Sequence, residues 1–195
     1  MALTRSAGSD NFLHGFVNNG GTFTTLTVPG ATNTFARGIN ATGQIVGGFN
    51  DSSGSHGFVY NGGTFTTLSV PGASFTDAYG INGDGWIVGL FDDGTGTHGF
   101  VYSGGMFTTL DVPGAVFTAA LGINATGQIV GGFDDSSGTH GFVASPVPLP
   151  AAAWLLGSAL GGLGLRRPRA KIHNRHRRSH YCARTVRSTF PILPT

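Results

Sequence analysis

Apolar positions between residues 12 and 144 fall in short runs of about five residues, each closed by a glycine-rich or proline-glycine break. From His56 to Thr97 these runs predict four strands. The first covers 56–60 and ends at Asn61-Gly62-Gly63, whose glycines accept the positive φ of a tight hairpin. The second covers 64–70 and ends at Pro71-Gly72. Proline presets φ at the second turn position and glycine takes the left-handed third, a type II signature. The third strand covers 75–81, and Asn82-Gly83-Asp84-Gly85 turns the chain into the fourth, 86–91. Residues 92–97 form the loop to the next His-Gly-Phe-Val.

The pattern recurs. His14-Gly15-Phe16-Val17 returns at His56, His98 and His140, 42 residues apart each time and without an insertion. Gly38-Ile39-Asn40 returns as Gly80-Ile81-Asn82 and Gly122-Ile123-Asn124, and residues 38–49 are identical to 122–133. Identity over such a length is duplication. The units read as 14–55, 56–97, 98–139 and a partial 140–144, inside a repeat region covering 12–144; residues 1–11 are expected to be disordered.

One unit offers too little apolar surface to cover both faces of a sheet: Phe65, Leu68, Val70, Ile81, Ile87, Val88 and Phe91 are most of it. Neighbouring units must therefore stack. Gly47, Gly48, Gly89, Gly131 and Gly132 beside the apolar pairs mark close backbone approach, since glycine otherwise weakens a strand. The expected fold is all-β, with four-stranded units arranged as β-propeller-like blades. A threefold, β-trefoil-like body is the alternative.

Composition agrees with strands, because helix formers are scarce: glutamate is absent and Lys171 is the sole lysine, against 34 glycines and 15 phenylalanines. Charge divides the chain. Residues 1–165 carry two arginines against nine aspartates, a net −7; residues 166–195 carry nine Arg and Lys and no acid, a net +9. The basic isoelectric point thus belongs to the tail, and nucleic-acid binding is not expected of the folded part. The single cysteine, Cys182, also lies in the tail, so no intramolecular disulfide can form.

The ordered set of H-G-F, G-I-N and G-x-I-V-G motifs across 12–144 resembles the extracellular HAF repeat family. That resemblance implies an exported, repeated β protein and carries over no catalytic residue. After it, Val147-Pro148-Leu149-Pro150, an apolar run over 151–165 with Trp154 near its start, and Arg166, Arg167 and Arg169 resemble a PEP-CTERM sorting signal of the VPLPA kind. This second resemblance implies processing by an exosortase-type membrane peptidase.

The 15 apolar residues would span roughly 22 Å as a helix, short of a hydrocarbon core of roughly 30 Å. Such a short apolar helix over 151–165 suits a transient membrane signal, with the arginines held on the cytoplasmic side. The segment 145–169 is read as the sorting signal and 170–195 as a disordered basic tail, a frameshifted or read-through end. Residues 1–8 lack the apolar stretch of an export leader, so the reading frame is expected to start upstream.

Candidate chemistry is sparse. His14, His56, His98 and His140, with the Gly and Asn of each Gly-Ile-Asn, read as structural signatures of the repeat. Converging three histidines on one zinc would need special geometry, and a repeated bond to the preceding turn is the simpler reading. Loops 50–54, 92–94 and 134–138 offer oxygen ligands for calcium, but Asp, Ser and Gly are also what turns require. No cofactor or metal is expected. The unit-specific Asp77, Asp84, Trp86 and Asp111 look scattered, and no nucleophile elbow is present. The sequence therefore predicts a non-enzymatic protein of the cell surface or secreted fraction, membrane-associated before processing, with an adhesion or extracellular-matrix role. A multivalent carbohydrate-binding module contacting surface glycans is the alternative, and a fragment of a propeller enzyme the second alternative.

Overall fold

The computed structural model describes residues 4–5 and 12–145, and every regular element within them is a strand. The two-residue β1 (Thr4–Arg5) pairs with β2 (Leu13–Asn19), which turns back as β3 (Thr22–Leu26). A four-stranded meander follows: β4 (Asn33–Ile39), β5 (Ile45–Asp51), β6 (Gly54–Asn61) and β7 (Thr64–Leu68). The next comprises β8 (Phe75–Ile81), β9 (Ile87–Asp92), β10 (Thr97–Ser103) and β11 (Met106–Leu110). The last comprises β12 (Phe117–Ile123), β13 (Ile129–Asp135) and β14 (Gly138–Ala144).

Consecutive strands inside each meander pair antiparallel. One parallel bridge joins each meander to the strands before it: Leu13 to Asn33, Ser55 to Phe75 and Thr97 to Phe117. The result is one open, mixed sheet.

The predicted strand 75–81 matches β8 to the residue, whereas β6 starts at Gly54, ahead of the predicted His56. The difference is physical: the β5–β6 ladder runs on to an Asp51–Gly54 pair, which leaves Ser52 and Ser53 as the turn. Hydrogen bonding also groups the strands differently from the motif spacing, since β6 and β7 close the meander opened by β4 rather than opening a new one. The expected helix over 151–165, the sorting signal and the basic tail lie outside the described residues. Among the described residues no helix is long and apolar enough to cross a membrane.

Local chemistry explains the turns. Gly72 has φ of 83° and Ala73 N–H donates to Val70 C=O at 3.1 Å, the type II arrangement expected of Pro-Gly. The chain then folds so that Val70 N–H donates to the hydroxyl of Thr76 at 3.1 Å, a bond repeated from Val28 to Thr34 and from Val112 to Thr118. These threonines are buried, where a hydroxyl without a partner would be costly.

The core crosses the meander boundaries. Val46 and Leu68 of one meander cluster with Ala78, Ile81, Ile87, Phe91 and Phe100 of the next. Val88 and Leu110 in turn meet Ala120, Ile123, Ile129 and Phe142. Burying a valine such as Val46 fully contributes about 1.5–3 kcal/mol. Close approach has its own requirement. A β-carbon at Gly89 would run into the Asp77 carbonyl oxygen and stand 2.7 Å from the Phe100 ring, and Gly47 and Gly131 occupy the same constriction. The register shifts at this point, between Ala78 and Gly80 and at the matching places in the other two meanders.

Candidate functional site

Three kinds of polar constellation sit on this frame. The first closes a hairpin. Asn40 Oδ1 accepts from the backbone N–H of Thr42 (3.1 Å) and Gln44 (3.0 Å), while its Nδ2 donates to the Asn82 carbonyl in the next meander at 3.0 Å. Asn82 repeats this toward Asp84, Trp86 and, at 3.4 Å, the Asn124 carbonyl. The neighbouring glycines form a column: a β-carbon on Gly38 would lie 2.6 Å from Tyr79 O, and one on Gly80 would lie 3.2 Å from the Gly122 Cα. The Gly and Asn signatures thus lie together at the boundaries between meanders.

The second constellation surrounds the histidines. His56 Nε2 lies 2.9 Å from Ser53 Oγ, whose other contact is Asp51 Oδ1 at 2.6 Å; His56 Nδ1 lies 3.1 Å from Ser69 Oγ. A carboxylate only accepts, so the serine proton points to Asp51 and the imidazole donates Nε2–H to the serine oxygen. That direction is the reverse of a catalytic triad, in which histidine removes the serine proton. His140 meets Ser137 and Asp135 in the same way, and His14 Nδ1 lies 2.9 Å from Thr27 Oγ1. The histidines remain apart. Among the described residues, no group of three or more His, Cys, Asp or Glu is placed to share a metal ion.

His98 differs. Asp111 stands where Ser69 and Thr27 stand in the other copies, and its Oδ2 lies 2.9 Å from His98 Nδ1. Nε2 faces Thr95 Oγ1 at 3.3 Å and Asp93 at 3.5 Å. With an obligate acceptor at Nδ1, the ring favours its doubly protonated form. The Asp111 hydrogen bond accordingly raises the pKa of His98, and the charges of Asp111, Asp93 and Asp92 add to it. Asp51, Asp93 and Asp135 are held below the ordinary carboxylate value, chiefly by the side-chain and backbone bonds from Ser53, Thr95 and Ser137 respectively.

The third constellation occurs at one boundary and breaks the repeat. Arg37 of β4 forks onto Asp77 of β8, Nε to Oδ1 at 3.1 Å and Nη2 to Oδ2 at 2.7 Å. Its guanidinium lies 4.4 Å from the centre of the Tyr79 ring and 5.6 Å from that of Phe35, within cation–π range. Burial pushes the Asp77 carboxyl up against the opposing pull of Arg37. Burial also raises Tyr79, helped by the charge of Asp77 and opposed by that of Arg37. The pair borders a polar cleft of about 170 Å³ lined also by Phe35, Gly48, Phe49 and His56.

No family model and no curated protein matches the chain.

Of the residues singled out in the sequence, the structure brings Gly38, Gly80 and Gly122 into one column, joins Asn40 to Asn82 and Asn82 to Asn124, and keeps the histidines separate. Val147, Pro148, Leu149, Pro150, Trp154, Arg166, Arg167 and Arg169 lie outside the described residues. Arg37 and Tyr79 were missed, and Gly48, expected to mark close backbone approach, makes room for the Asp77 side chain instead. The signal was present as a break in the duplication: positions 37, 79 and 121 hold Arg, Tyr and Leu, and positions 35, 77 and 119 hold Phe, Asp and Ala. Asp77 and Asp111, which looked scattered, each have a specific partner.

Proposed function

We propose that this chain is a non-enzymatic repeat scaffold of the cell surface or secreted fraction, acting in adhesion or matrix contact. One observation carries the reading. The hydroxyl, carboxylate and imidazole groups of Ser53, Asp51 and His56 are tied into turn-closing bonds, and these recur at the same register at Thr95, Asp93 and His98 and at Ser137, Asp135 and His140. Such turns present an acidic, evenly spaced rim and no activated nucleophile, which suits repeated weak contacts more than turnover. The four-stranded meanders favour blade-like units in an open arc over a closed threefold body.

Delivery rests on the sequence. Val147-Pro148-Leu149-Pro150, the apolar 151–165 run and the arginines from Arg166 support handling by an exosortase-type peptidase after transient membrane association. The test is protease shaving of intact cells that express the chain with an epitope in loop 92–97. Surface-exposed epitope is expected, and it should be lost when residues 147–150 are replaced by alanine. Epitope retained inside the cell with either sequence contradicts the proposal.

A further inference from the structure

Arg37 and Asp77 carry charge at positions that the fold fills without charge one repeat further on. There the same two positions hold Tyr79 and Ala119, and Leu90 stands where Gly48 stands. The Asp77 side chain is only 17% exposed, and its burial works against the charged form. Taking an ion pair out of water costs free energy that its attraction often fails to return, and apolar residues of similar volume commonly serve as well. Packing at this boundary therefore does not call for the fork.

The fork instead lines a cleft of about 170 Å³, together with Phe35, Phe75, Asn50 and Ser55. Pockets for drug-sized ligands begin at roughly 300 Å³, so an occupant here has the size of a single ring. The two charges cancel each other, which disfavours a ligand of net charge. Both groups keep hydrogen-bonding capacity. The fork uses Nε and Nη2 of Arg37 and leaves Nη1 to donate elsewhere, while each Asp77 oxygen accepts one bond and retains a second lone pair. A donor and an acceptor side by side match two adjacent hydroxyls, each of which gives and takes a hydrogen bond. The phenylalanine rings match a flat face of C–H groups. A pyranose carries both features.

We propose that this cleft binds one neutral pyranose residue, with Arg37 and Asp77 bonding a pair of adjacent hydroxyls and Phe35 and Phe75 meeting its C–H face. Asn50 and Ser55, joined to each other at 3.0 Å, border the same space and offer a further polar contact. Arg37, Asp77 and Gly48 are not found together at the equivalent positions of the following boundary, so the site belongs to this boundary and is not repeated there. Sugar binding stands apart from surface delivery: one is measured on purified protein and the other on cells, and each can fail alone.

Backbone amide shifts of the 195-residue protein, titrated with glucose, galactose, mannose and their methyl glycosides, test this. Saturable binding of at least one is expected, with shifts gathered at Gly48, Asn50, Ser55 and Asp77. Binding of a methyl glycoside assigns the site to the end of a glycan; binding of a free sugar but not its glycoside assigns it to a monosaccharide. Asp77→Asn keeps the shape but removes the charged acceptor, and should bind about tenfold more weakly. Gly48→Leu combined with Asp77→Ala fills the cleft with the residues found at Leu90 and Ala119, and should abolish binding while keeping a cooperative thermal transition. Asp111→Ser, away from the cleft, should bind as the wild type does. The proposal is overturned if none of these sugars binds saturably, if only the charged glucuronate binds, or if either cleft variant binds as tightly as the wild type.

Discussion

A β-carbon at Gly48 would stand 2.5 Å from Asp77 Oδ1, so Asp77 reaches Arg37 through space that a glycine leaves open. One repeat further on, Leu90 stands in the position of Gly48 and Ala119 in that of Asp77. The larger and the smaller side chain have changed places across the boundary, which keeps the occupied volume similar, as close-packed interiors require.

That exchange predicts coupling between positions 48 and 77. Gly48→Leu alone should destabilise by about 1–3 kcal/mol through overpacking. Asp77→Ala alone should cost about 1–2 kcal/mol, moderated because the Arg37 side chain is 27% exposed and reaches solvent. The double variant recreates the Leu90–Ala119 combination and should cost less than the two singles together by about 1 kcal/mol. Urea unfolding of the four proteins gives the cycle; strict additivity would mean that the two sites do not share space.

Glycine at 89 is required for a different reason. Gly89→Ala drives a methyl into the Asp77 carbonyl and the Phe100 ring and should destabilise by about 1–3 kcal/mol. Gly83→Ala has nothing within 4 Å and serves as the control, expected to be close to neutral. Equal unfolding midpoints for the two variants would contradict the close approach described for Gly89.

These two positions show what the sequence could and could not reveal. Strands and turns were legible because Asn-Gly-Gly and Pro-Gly impose local backbone geometry that needs no knowledge of distant residues. The glycines beside the apolar pairs were legible as close approaches, since a strand has little other use for them. The meander grouping was not legible. Motif order starts at histidine, whereas hydrogen bonding depends on which strands flank β6, and it is paired with β5 on one edge as well as β7 on the other. The Arg37–Asp77 pair was hidden for a related reason: its partners lie 40 residues apart, and nothing local to either residue announces the other.

The asparagine ladder predicts unequal costs for equivalent substitutions. Asn82→Ala removes the acceptor for Asp84 and Trp86 N–H together with the donor to Asn124, and should cost about 2 kcal/mol. Asn124→Ala removes the turn bonds to Thr126 and Gln128 but no bond to a following meander, and should cost about 1 kcal/mol. Thermal unfolding of both variants measures the difference, and equal losses would remove the inter-meander bond from the account.

His98 predicts a pH dependence of stability. Its folded pKa is raised above the unfolded value by Asp111, so its stabilisation is fully present below the unfolded value and is lost as pH rises through the folded one. Stability should therefore fall as pH rises from below to above the ordinary histidine range relative to Asp111→Ser, which installs the partner found at Ser69. Melting temperatures across that range check the sign. Parallel curves for the two proteins would show that the His98–Asp111 contact does not favour the charged ring.

Successive meanders hold one another up through a core crossing their boundaries. Amide hydrogen exchange, measured residue by residue on dilute protein, addresses it most directly. Strands β8 and β9, covered on both sides, should exchange slowest, and protection should decline toward β3 at one end and β14 at the other. If β14 is protected as well as β9, or if β8 and β9 open first, the meanders do not depend on their neighbours.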